Sequence, residues 1–418
     1  MSCLTENSKG LYNYLKTFVK WMVIALIVGA VSGVIGSVFH KSIDYVTEFR
    51  HENKWLIYLL PIGGLLITLL YSVFRTKGRL DTNRVIDAVR EDEKVPLAMA
   101  PLIFVSTVIT HLLGGSAGRE GAALQLGGSI GYNVGKLFRL CKKDLHLIVM
   151  AGMSGVFAAL FGTPLTAAFF ALEVVAVGVI HYAGFVPCLI SAVTAYEIAL
   201  MFGITPVQFG QIAFDALSAG TLARVIILAM LCAAVSILFC TTIKKTEHYM
   251  EKLVPNKYLR TVVGALLVVL LTLIMGTTDY NGAGMEVITR AMQGEARAEA
   301  FLLKIIFTAI TIAAGFKGGE IVPAFFVGST FGCVAGSLLG LNAGFGAAIG
   351  FVSLFCGVVN CPIASVMLAL EVFGADAILP FAAACSVSFM MSGYFGLYKS
   401  QKIVYSKLDD ERVDINTK

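Results

Sequence analysis

Residues 114–131 read GGSAGREGAALQLGGSIG, with two adjacent charges, Arg119 and Glu120, set among glycines. The rest of the chain makes that pairing unusual. Of its 418 residues, 57% are hydrophobic and only 14% charged, against about 25% charged in an average soluble protein. Charge is scarce here, and a carboxylate inside such a sequence needs a reason.

The composition is that of a polytopic membrane protein. A bilayer crossing takes about 20 apolar residues. The clearest candidates are Trp21 to Val38, Trp55 to Phe74, Leu222 to Cys240 and Val262 to Met275, with shorter apolar runs cut by Gly and Pro between them. The first run is longer than a signal-peptide core and no small-residue cleavage site follows it, so it reads as a retained helix. The net charge of +5 is mild, but its placement is uneven. Lys9, Lys16 and Lys20 precede the first helix, and Arg75, Lys77, Arg79, Arg84 and Arg90 follow the second; TEFRHENKW (47–55), between them, mixes both signs. The positive-inside rule then puts the N-terminus and the segment after Phe74 in the cytoplasm. No basic stripe interleaved with aromatics marks a nucleic-acid partner. The nine cysteines are scattered through apolar runs, as buried thiols rather than a disulfide framework.

A weak internal repeat organises the rest. GGSAGREGAALQLGGSIG is followed by GMSGVFAALFGTPLTAAFFALE (152–173). GFKGGEIVPAFFVGSTFG (315–332) is followed by FVSLFCGVVNCPIASVMLALE (351–371). Pro164 precedes Glu173 by nine residues (173−164), and Pro362 precedes Glu371 by nine (371−362). Glu120 lies 44 before Pro164 (164−120), and Glu320 lies 42 before Pro362 (362−320). Paired halves with Gly/Pro-interrupted apolar segments signal a transporter built from repeats, whose broken helices meet near the membrane midplane. Irregular backbone at that depth survives only where it is buried or lines a cavity. Glycine allows the backbone to come close to a ligand, and helix N-termini offer free N–H groups to an anion. On this reading Gly118 and Gly121 belong to an ion site, whereas Gly127, Gly131 and Gly135, four residues apart, let helices pack closely.

The charge on Glu120 is balanced energetically. A charged side chain at the centre of a membrane helix costs about 2.5–3.5 kcal/mol. Neutralising a glutamate of ordinary pKa near 4.3 at pH 7 costs about 3.7 kcal/mol. Charged and neutral forms therefore lie close together, and an anion nearby decides between them, so anion occupancy and protonation favour each other. Neighbours along a helix do not face each other, so an Arg119–Glu120 salt bridge is not expected; Arg119 reads as structural or steering. Glu320, in KGGEIVP, holds the comparable place in the second half, with Pro323 marking a helix start. Glu173 and Glu371 end apolar helices and read as interfacial or structural. No P-loop, HExxH, histidine cluster or nucleophile–base pair is present, so neither an enzyme nor a metal or other cofactor is expected.

GREG at 118–121, GTPLTAAFFALE and the repeated PI-to-ALE segment resemble the CLC family of anion channels and anion/proton antiporters, over about residues 18–400. The resemblance implies an all-α polytopic membrane fold, an inverted repeat of tilted, broken and re-entrant helices, forming a homodimer with one pore per subunit. The repeat halves would be about 18–205 and 215–400, flanked by cytoplasmic segments 1–17 and 401–418. It implies that Glu120 is the gate carrying protons into the anion path. It also implies that Tyr398 in SGYFGLYKSQ, or else Tyr394, is the central tyrosine.

Departures from the commoner pattern refine the expectation. Ala122 replaces the usual proline after GREG, and HLLGGSAGREG (111–121) and the Glu in GGEIVP look like the family's fluoride-exporting branch. Val174 stands where the chloride/proton antiporters carry a second acid, so the inner proton step would fall to Glu320. In DTNRVIDAV (81–89), Thr82, beside Asn83, aligns with the selectivity residue, and its hydroxyl resembles the serine of chloride transporters. Fluoride is small and strongly hydrated, so its site needs dense donors to replace water. The backbone N–H groups at Gly121, Ala122, Ile321 and Val322, with Thr82, Asn83 and Tyr398, would supply them. The expectation is a fluoride/proton antiporter in a bacterial plasma membrane; the alternative is a chloride/proton antiporter or chloride channel.

Overall fold

A computed structural model of the chain describes residues 2–74, 80–91 and 93–418, with side chains from residue 11 onward. Arg75, Lys77 and Arg79, counted in the charge bias above, lie outside the described residues, as does the side chain of Lys9. The first half carries α1 (Ser2–Glu52), α2 (Leu60–Val73), α3 (Thr82–Arg90), α4 (Met99–Leu112), α5 (Glu120–Leu137), α6 (Lys142–Phe161), α7 (Pro164–Glu173) and α8 (Phe185–Met201). The second carries α9 (Ala219–Leu253), α10 (Lys257–Met275), α11 (Met285–Met292), α12 (Ala300–Ala313), α13 (Ile321–Leu338), α14 (Ala343–Val359), α15 (Pro362–Phe373) and α16 (Ile378–Met391). Among the described residues, seven helical segments are long and apolar enough to cross a membrane. The four spans read from sequence fall in α1, in the stretch Lys54–Val73, in α9 and in α10.

The two halves match element by element, eight helices apart. The long leading helices α1 and α9 correspond, and α4 and α12 are both 14 residues long. The broken helices α5 and α13 are both 18 residues, and each packs on the helix that follows it. A Cβ on Gly127 of α5 would stand 2.2 Å from the Gly152 carbonyl of α6, and one on Gly131 would stand 2.2 Å from the Ile148 carbonyl. In the second half a Cβ on Gly328 would stand 2.3 Å from Gly350 O. No side chain fits in these seams, which confirms the packing role read for Gly127 and Gly131. Gly135 faces Leu145 and Ile148 side chains in the same seam.

The short helices α7 and α15 tie the halves together. Each has proline at its first position, where a missing N–H does no harm. The Glu173 carboxylate at the end of α7 accepts the backbone N–H of Ile363 (3.2 Å) and Ala364 (2.8 Å) at the start of α15. In return Glu371 accepts Leu165 N–H and Thr166 N–H at 2.8 Å, and the Thr166 hydroxyl at 2.6 Å, at the start of α7. Each carboxylate satisfies orphan donors of the other half's helix and sits at the positive end of its dipole. The reciprocity is what a two-fold relation between the halves requires.

A small sheet sits at the edge of this helical body. β1 (Ala176–Val177) pairs in parallel with β2 (Lys402–Tyr405), which pairs antiparallel with β3 (Arg412–Asn416). The segment read as a tail is thus a hairpin laid against the strand that follows α7.

Candidate functional site

The two broken helices meet start to start. Arg119 is the residue before α5, and Glu320 the residue before α13. Just upstream, Gly118 N–H donates to Gly319 O and Gly319 N–H donates to Gly118 O, both at 2.7 Å, an isolated antiparallel bridge between the halves. A Cβ on Gly319 would stand 2.3 Å from Gly121 N, and one on Gly121 would stand 2.8 Å from Gly319 Cα. The glycines read from sequence as ion-site residues are therefore also the residues that let the two halves touch.

From this bridge the two carboxylates face different cavities. Glu120, 1% exposed, lines a cavity of about 240 Å³ together with Asp44, Arg50, His111, Arg119 and Val322. Glu320 lines a second cavity of about 300 Å³ with Thr82, Asn83, Gln125, Tyr398 and Lys399. The first opens beside residues 43–51, at the end of α1; the second opens beside Tyr71, at the end of the returning α2. They lie on opposite faces of the molecule. Their charges differ as well. The first holds Asp44, Glu48, Glu120, Asp279 and Glu286 against Arg50 and Arg119. The second balances Lys244, Arg260, Lys317 and Lys399 against Asp81, Glu247, Glu251 and Glu320.

One expectation about the charged pair is corrected. Arg119 Nε lies 3.7 Å from Glu120 Oε1, and Arg119 N–H donates to Glu120 Oε2 at 3.0 Å. The rule that neighbours diverge holds inside a helix, but Arg119 precedes the first helical residue, so its side chain can turn toward the carboxylate. Its Nη1 also holds Asp44 Oδ1 at 2.7 Å, and Asp44 in turn pairs with His40 at 2.9 Å.

Of the sequence-derived anion residues, Thr82, Asn83 and Tyr398 line the Glu320 cavity, whereas Val322 lines the Glu120 cavity. Thr82 is the first residue of α3, whose N-cap Asp81 accepts Arg84 N–H at 3.2 Å. The Thr82 hydroxyl points at Gly121 O (3.4 Å) and accepts from Gln125 Nε2 at 3.2 Å. Asn83 lies beside it, with its Oδ1 engaged by Ser400 N–H at 3.0 Å. Tyr398 is buried, and its hydroxyl has no hydrogen-bond partner among the described residues. Tyr394 instead bonds Ser406 in the tail at 3.1 Å. Ala122, Ile321 and Val322 are buried in the first turns of α5 and α13, where the helix leaves its leading N–H groups without intrahelical partners. Gln125, which bridges Glu120's helix to Thr82, was not singled out from sequence. Its signal was a lone amide in the apolar run GAALQLGG.

The family model for voltage-gated chloride channels matches residues 63–393. A protein of Pseudomonas syringae pv. tomato named chloride/fluoride channel protein is 34% identical over 396 residues, covering 93% of this chain and 87% of its own. An H⁺/Cl⁻ exchange transporter of Vibrio cholerae is 25% identical over 398 residues, covering 85% and 82%. Among solved structures, a CLC-type fluoride/proton antiporter superimposes with a TM-score of 0.87 at 31% identity, over 92% of this chain and 98% of its own. A slow cyanobacterial Cl⁻/H⁺ antiporter gives 0.75 at 19% identity, over 89% and 94%, and supports the fold alone. With its seven candidate spans and its two halves joined at the Gly118–Gly319 bridge, the chain is a multi-pass membrane protein of the voltage-gated chloride channel (CLC) family.

Proposed function

We propose that the protein is a fluoride/proton antiporter, exporting fluoride from the cytoplasm in exchange for entering protons. The observation that carries this reading is the placement of two carboxylates, Glu120 and Glu320, on either side of one backbone bridge and facing cavities on opposite faces. Alternate access needs a proton carrier reachable from each side, and the two carboxylates give each cavity one. The relatives named for fluoride support the choice of anion.

In this mechanism the Glu320 cavity faces the cytoplasm, as the basic residues around α3 imply. The anion enters there and meets the hydroxyls of Thr82 and Tyr398, then the first-turn N–H groups at Gly121, Ala122, Ile321 and Val322; Asn83 positions the Tyr398 loop. Glu120 takes a proton from the acidic outer cavity, is neutralised, and admits the anion past the bridge. Glu320 passes the proton inward. The protein is a transporter rather than an enzyme, its partners are the two ions and the lipid bilayer, and it needs no bound cofactor. The proposal extends to a bacterial plasma membrane with both termini cytoplasmic. It extends also to a homodimer, for which exposed Leu379, Met390 and Met391 on α16 leave apolar surface. The mass of the detergent-purified complex checks the dimer.

A second reading, chloride/proton exchange, rests on the Thr82 hydroxyl in the Glu320 cavity. Liposomes holding the purified protein and loaded with equal fluoride and chloride decide between them. Fluoride efflux with proton uptake and little chloride movement is the expected result. Chloride leaving as fast would assign selectivity to Thr82. Glu120→Gln is expected to abolish proton coupling and to slow or stop exchange; unchanged coupled flux would remove Glu120 from the gate.

A further inference from the structure

Tyr398 lies in no helix or strand. Residues 393–401 run as turns and irregular backbone between α16 and β2, so the depth of its hydroxyl depends on what holds that loop. Three neighbours do so. From α3, Asn83 Oδ1 accepts Ser400 N–H at 3.0 Å and Asp87 accepts the Ser400 hydroxyl at 2.8 Å. From the end of α14, Val358 O accepts Leu397 N–H at 2.9 Å and Val359 O accepts Gln401 Nε2 at 2.8 Å. Asn360, the left-handed C-cap of α14 (φ 57°), donates its amide to Phe395 O and Gln401 Oε1, both at 3.0 Å.

The third neighbour is the tail. The Thr417 hydroxyl donates to the carbonyl of Tyr398 itself at 2.6 Å, and Thr417 N–H donates to Gln401 O at 3.1 Å. Lys418 N–H reaches Tyr394 O at 2.8 Å. Thr417 is 7% exposed and Gln401 fully buried, although both lie in a polar segment. Thr417 lies one residue past the end of β3, where its N–H bond to Gln401 extends the hairpin register; its side-chain hydroxyl, which the ladder does not use, is what reaches Tyr398. The hairpin is also anchored by Lys407 Nζ, on Phe389 O (2.9 Å), the Ser392 hydroxyl (3.1 Å) and Asn360 Oδ1 (2.5 Å). A polar tail folded back so that one buried hydroxyl grips the backbone of the tyrosine is more than an edge decoration.

We propose that the C-terminal hairpin is a positioning element of the anion site, with Thr417 acting through the Tyr398 carbonyl to hold the Tyr398 hydroxyl at its depth in the Glu320 cavity. The inference rests on the reading of Tyr398 as an anion ligand. Thr417 touches no ion; it sets how tightly Tyr398 meets one.

The test compares Thr417→Val, which keeps the shape and removes the donor, with Thr417→Ser, which keeps the donor. Tyr398→Phe and the Tyr398→Phe/Thr417→Val double variant complete the set. Each is reconstituted in full-length form, and initial fluoride flux is measured against fluoride concentration. Thr417→Val is expected to raise the half-saturating fluoride concentration about three- to tenfold, the effect of one net hydrogen bond, with maximal flux per folded protein retained. Thr417→Ser should match the wild type, and the double variant should be no worse than Tyr398→Phe. Full additivity in the double variant, or a Thr417→Val protein that loses only yield or maximal flux, would assign Thr417 a purely structural role and overturn the proposal. A Thr417→Val variant with wild-type saturation while Tyr398→Phe is impaired sinks the hairpin's role alone. An unimpaired Tyr398→Phe variant removes Tyr398 from the site, and the proposal falls with it.

Discussion

Replacing Glu371 with alanine should loosen the joint between the halves by a measurable amount. Its carboxylate accepts two backbone N–H groups at 2.8 Å and a hydroxyl at 2.6 Å. The Thr166 hydroxyl can rotate to another acceptor, but the two backbone donors at the start of α7 cannot. A buried donor left unpaired costs about 1–3 kcal/mol. Glu371 is only partly buried, so water recovers part of that loss, and the pair together should cost about 2–4 kcal/mol. With an unfolding entropy of about 2.1 cal/mol/K per residue, or about 0.9 kcal/mol/K for this chain, the melting temperature should fall by about 2–4 °C. The protein carries its own reporter: seven of the eight described free cysteines are buried, so a thiol-reactive fluorophore reads unfolding in detergent as the thiols emerge. Glu371→Gln keeps one acceptor oxygen and should fall between alanine and wild type. Glu173→Ala should behave like Glu371→Ala, and the double variant should lose less than the sum, since both caps close the same pair of helices. A Glu371→Ala protein melting within about 1 °C of wild type would refute the idea that these carboxylates hold the halves together.

Two further outcomes follow from the site and its seams. Glu320→Ala should impair proton movement more than anion binding; simultaneous pH and fluoride electrodes on liposomes check this, and normal proton uptake would point to another inner carboxylate. Gly350→Ala puts a methyl 2.1 Å from the Gly328 carbonyl, where overpacking costs about 1–3 kcal/mol, so its melting point in the same thiol assay should drop. Gly220→Ala, whose nearest neighbour would be the Ser218 hydroxyl at 3.8 Å, should be neutral and serves as its control.

Much of the architecture was legible because the membrane imposes simple rules on sequence. Long apolar runs gave α1, α9 and α10. The matched nine-residue intervals between Pro164 and Glu173 and between Pro362 and Glu371 exposed the repeat, since proline starts and glutamate nearly ends the same helix in each half. That these glutamates cap each other's partner was not legible: a carboxylate at a helix end looks the same whether it meets headgroups or a distant helix start. The Arg119–Glu120 pair was hidden because it depends on the helix beginning one residue later than a continuous helix would. The hairpin was missed because its strands are only four and five residues long; the alternation in RVDIN is too brief to stand out, and the strand it lies against, β1, has two residues, in which no alternation can show. Gln125 was passed over because a single amide in an apolar run carries no pattern of its own.

The bridge between Gly118 and Gly319 has an electrical consequence. The two cavities end on residues beside it, Arg119 in one and Gly318 in the other, so the bridge lies in the constriction between them. A membrane voltage falls mostly across such a constriction, and each elementary charge that crosses it exchanges about 2.3 kcal/mol per 100 mV. Fluoride leaving and a proton entering both move positive charge inward. Under the proposed exchange the two ions therefore add electrically rather than cancel, and an inside-negative cell would drive export through that constriction even where the proton concentrations on its two sides are equal.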